Sequence, residues 1–128
     1  MIVDVKIVPV AEIPYSNTTG YWTYDEETKH LVLWVAKMSS PIHELAVLYH
    51  EWKESTWAIE HGVTQKEGDD FDAAYKGPAE YPGQDPKCPY YMGHMIGEAW
   101  ERFIIAYFGG NWIEYDEETN RLERAQER

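Results

Sequence analysis

The 128-residue chain has a single cysteine, Cys88. No disulfide can form within it, and a reducing, cytoplasmic setting is the expectation. No apolar run approaches the roughly 20 residues that a membrane-crossing helix needs. The opening MIVDVKIVPV has an Asp and a Lys inside its apolar run and no basic leader, so it does not read as a secretory signal. Positive charge is scarce: 11 Lys and Arg stand against 23 Asp and Glu, a formal net charge of −12. Nucleic-acid backbones and anionic membranes are bound through Lys and Arg, so neither is an expected partner. The acidic residues are spread along the chain, which suits an acidic soluble surface better than a DNA mimic.

Apolar mass is plentiful. Hydrophobic residues make up 44% of the chain and aromatics 15%, with six Trp and ten Tyr, enough for a core in one domain. Residues 1–10 alternate as a strand, with Pro9 at a sheet edge or exit. Residues 21–24 and 30–36 read as a hairpin around the turn at 25–29, with LVLWVA as a central strand buried on both faces. Ser40 and Pro41 are the cap and first position of a helix that ends at Gly62. Residues 63–89, rich in Gly, Pro and Asp, read as a long functional loop with room for a helical turn at 69–75. A second helix over 90–108 stops at Gly109-Gly110. The fold expected is α+β: a short N-terminal antiparallel sheet, strand plus hairpin, packed on two main helices. The single domain divides into sheet (1–36), first helix (39–62), loop (63–89), second helix (90–109) and acidic tail (112–128), the tail a short helix or frayed. YDEETKHL at 24–31 and YDEETNRL at 115–122 read as one turn chemistry used twice.

The helix stretch "VLYHEWKES" carries the chemistry. At about 100° per residue, His43, His50, Glu54 and His61 fall on one narrow stripe, with Glu51 about 80° round from it. Leu45, Leu48, Tyr49 and Trp52 lie roughly opposite, as a core stripe. On the second helix His94, Glu98 and Glu101 form another such stripe, with Trp100, Phe103 and Tyr107 across from it. Both polar stripes hold histidines and carboxylates with little Lys or Arg, whereas a solvated helix face has mixed signs. Buried groups of these types need partners, and a cation is an efficient one. His50 and Glu54, one turn apart, can share one ion. His94 is the natural third ligand if the helices pack antiparallel, and Glu98 or Glu101 is the alternative. Two imidazoles and a carboxylate with one open position make a catalytic zinc set. Glu51 is then placed to take a proton from the bound water, and Glu101 or Asp72 to hold a ligand histidine by its second nitrogen.

The strand–hairpin order followed by "YHEWKES" resembles the opening of small zincin-like metallopeptidases. Residues 47–115 resemble more closely an uncharacterised family of small phage and prophage proteins. These share a His-Glu-x-x-Glu helix (here His50, Glu51, Glu54), a Gly and a Phe-Asp (Gly62, Phe71-Asp72), and a proline-rich loop leading to a His-containing helix, "PGQDPKCPYYMGHMIGEAWERF". The resemblance implies His50, Glu51, Glu54, Asp72, His94 and Glu101 as functional positions and no particular substrate. Glu54 departs from the zincin pattern, which has a second histidine there. A carboxylate ligand is harder and admits Mn, Fe or Mg beside Zn.

Three functions follow. The first is a metal-dependent, zincin-like hydrolase, with a peptidase acting on a peptide or small molecule as the expected form. The second is a Mg-dependent nucleotide phosphohydrolase using Glu51-x-x-Glu54 and Glu98-x-x-Glu101, which leaves the histidines unexplained. The third is a non-enzymatic acidic phage protein that binds a host protein.

Overall fold

The computed structural model describes residues 1–125. Three strands, β1 (Ile2–Val8), β2 (Gly20–Asp25) and β3 (His30–Ala36), precede four helices, α1 (Pro41–Glu60), α2 (Gln65–Ala74), α3 (Tyr91–Tyr107) and α4 (Trp112–Ala125). The architecture is α+β, with the sheet at the N-terminal end.

The sheet is mixed, not antiparallel as expected. Its order is β1-β3-β2, with β1 parallel to β3 and β2 antiparallel to it. The hairpin is as read. Asp25 Oδ1 accepts from the backbone N–H groups of Glu27 and Thr28, and Lys29 takes the left-handed conformation that closes the turn (φ 58°), a side-chain-built reversal. The sequence pattern did not reveal that the segment between β1 and β2 steps across the place β3 will fill, which leaves β1 parallel to β3. Strand β3 is central but covered on one face only. Leu31, Leu33 and Val35 are fully buried towards α1, while Val32 and Trp34 are half-buried on the other side.

Helix α1 begins as its sequence dictates. Ser40 Oγ accepts from the Ile42 N–H at 3.1 Å, and Pro41 occupies the first position. The helix ends before Gly62, whose φ of 72° suits glycine. The stretch expected as loop contains α2, started by a capping box of Thr64 and Glu67. The expected tail is α4, which turns Tyr115, Glu118 and Thr119 inward at helical spacing. The core gathers Val35, Ala46, Val47, Ile104, Ile105 and Tyr115.

The inward face of α1 also differs from the expectation. Leu45, Leu48 and Tyr49 are only half-buried and Trp52 is exposed, whereas Ala46, Val47, Glu51, Glu54, Ser55 and Ala58 are buried. On α3, Phe103 and Tyr107 are 54% and 71% exposed. The reason is placement. Helix α1 lies between the sheet and α3, so its narrow polar side meets neighbours on both flanks. Among the described residues, no helix is long and apolar enough to cross a membrane.

Candidate metal centre

Helices α1 and α3 run antiparallel, His50 lying against Gly97 and Trp57 against Gly93. Their closeness depends on these two glycines. A Cβ at Gly97 would stand 2.8 Å from the His50 carbonyl oxygen, and one at Gly93 would stand 3.1 Å from that of Glu54. "GHMIG" is therefore a small-x-x-x-small contact that lets two helix backbones approach. The four-residue spacing of Gly93 and Gly97 is the sequence signal for it. A third glycine, Gly83, lies against the imidazole of His94, where a Cβ would come within 2.8 Å of the ring.

The approach brings His50, Glu54 and His94 together, with one ligand atom of each within 4.8 Å of the others. His50 Nε2 and His94 Nδ1 both lie 3.1 Å from Glu54 Oε2. This set is the one expected, with His94 as third member. Two of the three are held from behind by hydrogen bonds. His50 donates through Nδ1 to Glu101 Oε1 at 2.6 Å, and Tyr115 of α4 donates to the other oxygen of Glu101. Trp22 of β2 donates through Nε1 to Glu54 Oε1 at 3.3 Å. His50 and Glu54 thus keep one atom for the centre and commit another to the scaffold, the arrangement that orients metal ligands, while the His94 ring is held by packing against Gly83 and Tyr90. Trp22 and Tyr115 had no sequence signal, since the strand and helix that carry them meet the site only in three dimensions.

Glu51 is the anomaly. It is 9% exposed, lies under β2, and hydrogen-bonds to no described residue. Strand β2 passes so close that a Cβ at Gly20 would stand 2.6 Å from Glu51 Oε1. Burial, reinforced by the Glu54 charge and only partly offset by His50, pushes its carboxyl up to about 8. Glu54 goes the other way. Burial would raise it, but hydrogen bonds from His50 and His94 outweigh that and hold it down at about 2. For His50, burial opposes the charged ring, yet hydrogen bonds to Glu101 and Glu54 win and raise it well above the ordinary value. Without a metal, the imidazolium of His50 is the buried cation that these carboxylates surround.

Asp72 reaches the centre indirectly. It accepts from Tyr90 at 2.6 Å, and the Tyr90 ring meets His94 edge-on at 6.4 Å. Burial, with smaller contributions from Glu54 and Asp69, raises its carboxyl to about 6 against the hydrogen bond from Tyr90. Asp72 therefore does not hold a histidine nitrogen, and Glu101 does. Glu98 does not join the cluster in this structure: it pairs with Arg102 at 3.4 Å, as residues four apart on one helix face readily do. His43 and His61 share the stripe in projection but not the site. His43 pairs with Glu118 at 2.6 Å. His61 caps the end of α1 through the Trp57 carbonyl and stacks on the Trp57 ring. Cys88 is buried, with its thiol pushed up to about 11 chiefly by that burial, and takes no part.

Comparison with known proteins yields no match to a family model, a curated protein or a solved structure.

Proposed function

We propose that this chain is a metal-dependent hydrolase. Zinc is the expected ion, held by His50, Glu54 and His94, and Glu51 is the general base. The observation that carries the reading is Glu51: a buried carboxyl with no hydrogen-bond partner among the described residues, beside three convergent ligand groups. A buried carboxylate with no partner is costly. One raised towards neutral pH is matched to taking a proton and giving it back. A divalent ion at the three ligands would polarise a water or a carbonyl oxygen. Glu51 then accepts the proton of the attacking water on a carboxylate oxygen and returns it to the leaving group. Glu101 fixes the His50 ring so that Nε2 faces the centre, and Trp22 does the same for Glu54 Oε2. Two imidazoles and one carboxylate favour zinc, with Mn and Fe as alternatives, over Mg, which takes oxygen donors. Peptide hydrolysis is the form of this chemistry that the His-Glu-x-x-Glu helix suggests. The magnesium phosphohydrolase reading loses its second carboxylate pair, because Glu98 faces Arg102.

The test is a zinc titration of metal-free protein, followed by assay on a mixed peptide substrate. Glu51→Gln should bind one zinc per chain as the wild type does and lose hydrolysis. Absence of zinc uptake by the wild type overturns the metal centre. Uptake with equal hydrolysis by wild type and Glu51→Gln overturns the role of Glu51.

A further inference from the structure

Strand β1 is an open edge of the sheet. Among the described residues, no element other than β3 packs extensively on it. Its bonding to β3 uses alternate residues: the Ile2 N–H donates to the Lys29 carbonyl, and the Val8 carbonyl accepts from Lys37. In a parallel pair, both backbone groups of a residue point the same way. Those of Val3, Val5 and Ile7 therefore point outward, away from β3. Their side chains share the face of Leu31, Leu33 and Val35, yet Val5 and Ile7 are 44% and 51% exposed because α1 covers β3 and β2 instead. An exposed edge with an apolar row is a pairing site that proteins ordinarily block.

The sequence of β1 says what fits there. Read against its own reverse, Ile2-Val3-Asp4-Val5-Lys6-Ile7-Val8 matches itself. Antiparallel pairing about Val5 sets Val5 opposite Val5, Val3 opposite Ile7, and Asp4 opposite Lys6 on both sides of the axis. The outward N–H and C=O groups of Val3, Val5 and Ile7 then bond those of Ile7, Val5 and Val3 in the other copy. Within one copy Asp4 lies 2.6 Å from His30 and Lys6 rests over the Trp34 ring; at the seam both occupy non-hydrogen-bonded positions, where facing side chains stand closest and opposite charges attract. Sliding the register by two residues either way puts Asp4 opposite Asp4 or Lys6 opposite Lys6. An odd shift breaks the match of faces and of backbone groups. The charges thus select one register.

We propose that β1 is a homodimer interface: two copies pair edge to edge, antiparallel about Val5, into one continuous six-stranded sheet. The two-fold axis stands perpendicular to the sheet, so both α1 helices lie on the same face and flank a joint floor of Val3, Val5 and Ile7.

Sedimentation of the full chain at micromolar concentration should give twice the 15.0 kDa chain mass. Asp4→Lys or Lys6→Asp alone should weaken the dimer at least tenfold, by placing like charges opposite each other. The exchange Asp4→Lys with Lys6→Asp should restore it. In a Cys88→Ser background, Val5→Cys should oxidise to a covalent dimer, since paired residues on facing strands meet the Cα separation a disulfide requires. A monomeric wild type overturns the proposal. So does a dimer that survives both single charge changes, a dimer lost in the singles and not regained in the exchange, or a Val5→Cys variant that stays monomeric under oxidation.

Discussion

Helix α1 turns two histidines inward about two turns apart, each 2.6 Å from a carboxylate on another helix, and they do different things. His43 meets Glu118, whose oxygens are also taken by the Ser39 backbone N–H and hydroxyl. These hydrogen bonds, against the pull of burial, hold Glu118 below its ordinary range. One carboxylate with several donors is a closed latch that ties α4 to the start of α1. His50 meets Glu101 in the same way, but its other nitrogen faces Glu54, and Glu54 faces His94. Beside it Glu51 has no donor among the described residues. The first arrangement satisfies every group it buries, while the second leaves donors converging on one point. A buried histidine–carboxylate pair alone therefore points to no ligand, whereas groups that converge beside a carboxyl with no protein donor are what the proposed metal centre rests on.

Tyr115 links the two regions. Its ring meets His43 edge-on at 5.3 Å, and its hydroxyl donates to Glu101.

The contrast breaks most sharply by removing each histidine. His50→Ala leaves Glu54 and Glu101 buried without their shared partner. It should cost about 3–5 kcal/mol, the range for breaking a buried pair, and abolish zinc uptake. His43→Ala should cost less, about 1.5–3 kcal/mol for a hydrogen bond to a charged group, and leave zinc uptake unchanged. Chemical denaturation with metal analysis separates the two.

Proton competition is the next largest effect. A zinc ion held by His50 would have to displace a proton from a ring whose affinity for protons is raised. Apparent zinc affinity, followed by calorimetry, should therefore rise roughly tenfold per pH unit for each proton displaced, up to the folded-state value of His50.

Glu51 and Glu54 set opposite pH dependences in the metal-free protein. Glu54 is lowered from 4.5 to about 2, so its contribution is complete above 4.5 and fades as pH falls towards 2. Glu51 is raised from 4.5 to about 8, so the folded form holds a proton the unfolded one releases, and stability declines as pH rises from 4.5 through 8. Glu51→Gln should then stabilise metal-free protein at pH 8.5 by about 1–3 kcal/mol, the cost of an unsatisfied buried group. Thermal melts at pH 5 and pH 8.5 check this, and equal gains at both would contradict it.

The smallest expected change is Tyr115→Phe. It removes one hydrogen bond to Glu101, about 0.5–1.5 kcal/mol, and should weaken zinc binding several-fold through the looser His50 ring. The His43–Glu118 pair should stay intact.

Much of this was legible one-dimensionally. The Ser40-Pro41 start, the Gly62 stop and the hairpin turn are local devices, set by side chains within a few residues. His50, Glu54 and Glu51 belong together because one helix turn relates them, and His94 followed from the same periodicity. What failed needed partners distant in sequence. The two YDEET stretches show this most plainly. In 24–31 the segment is strand, turn and strand, with Asp25 closing the turn. In 115–122 it is helix, with Tyr115 and Glu118 buried against α1 and α3. The same five residues take opposite backbones because their neighbours, not their own propensities, supply what they bury.

The sequence by itself determined where α1 and α3 run and which of their residues can act as ligands, since helical spacing is a property of the chain alone. Tertiary structure decided the rest: that the polar side of α1 faces inward, that Glu101 rather than Asp72 holds a histidine, that Glu98 pairs with Arg102 instead, and that β1 lies parallel at an open edge. Those outcomes depend on which backbones can come close, and here Gly20, Gly83, Gly93 and Gly97 permit contacts that no periodicity records.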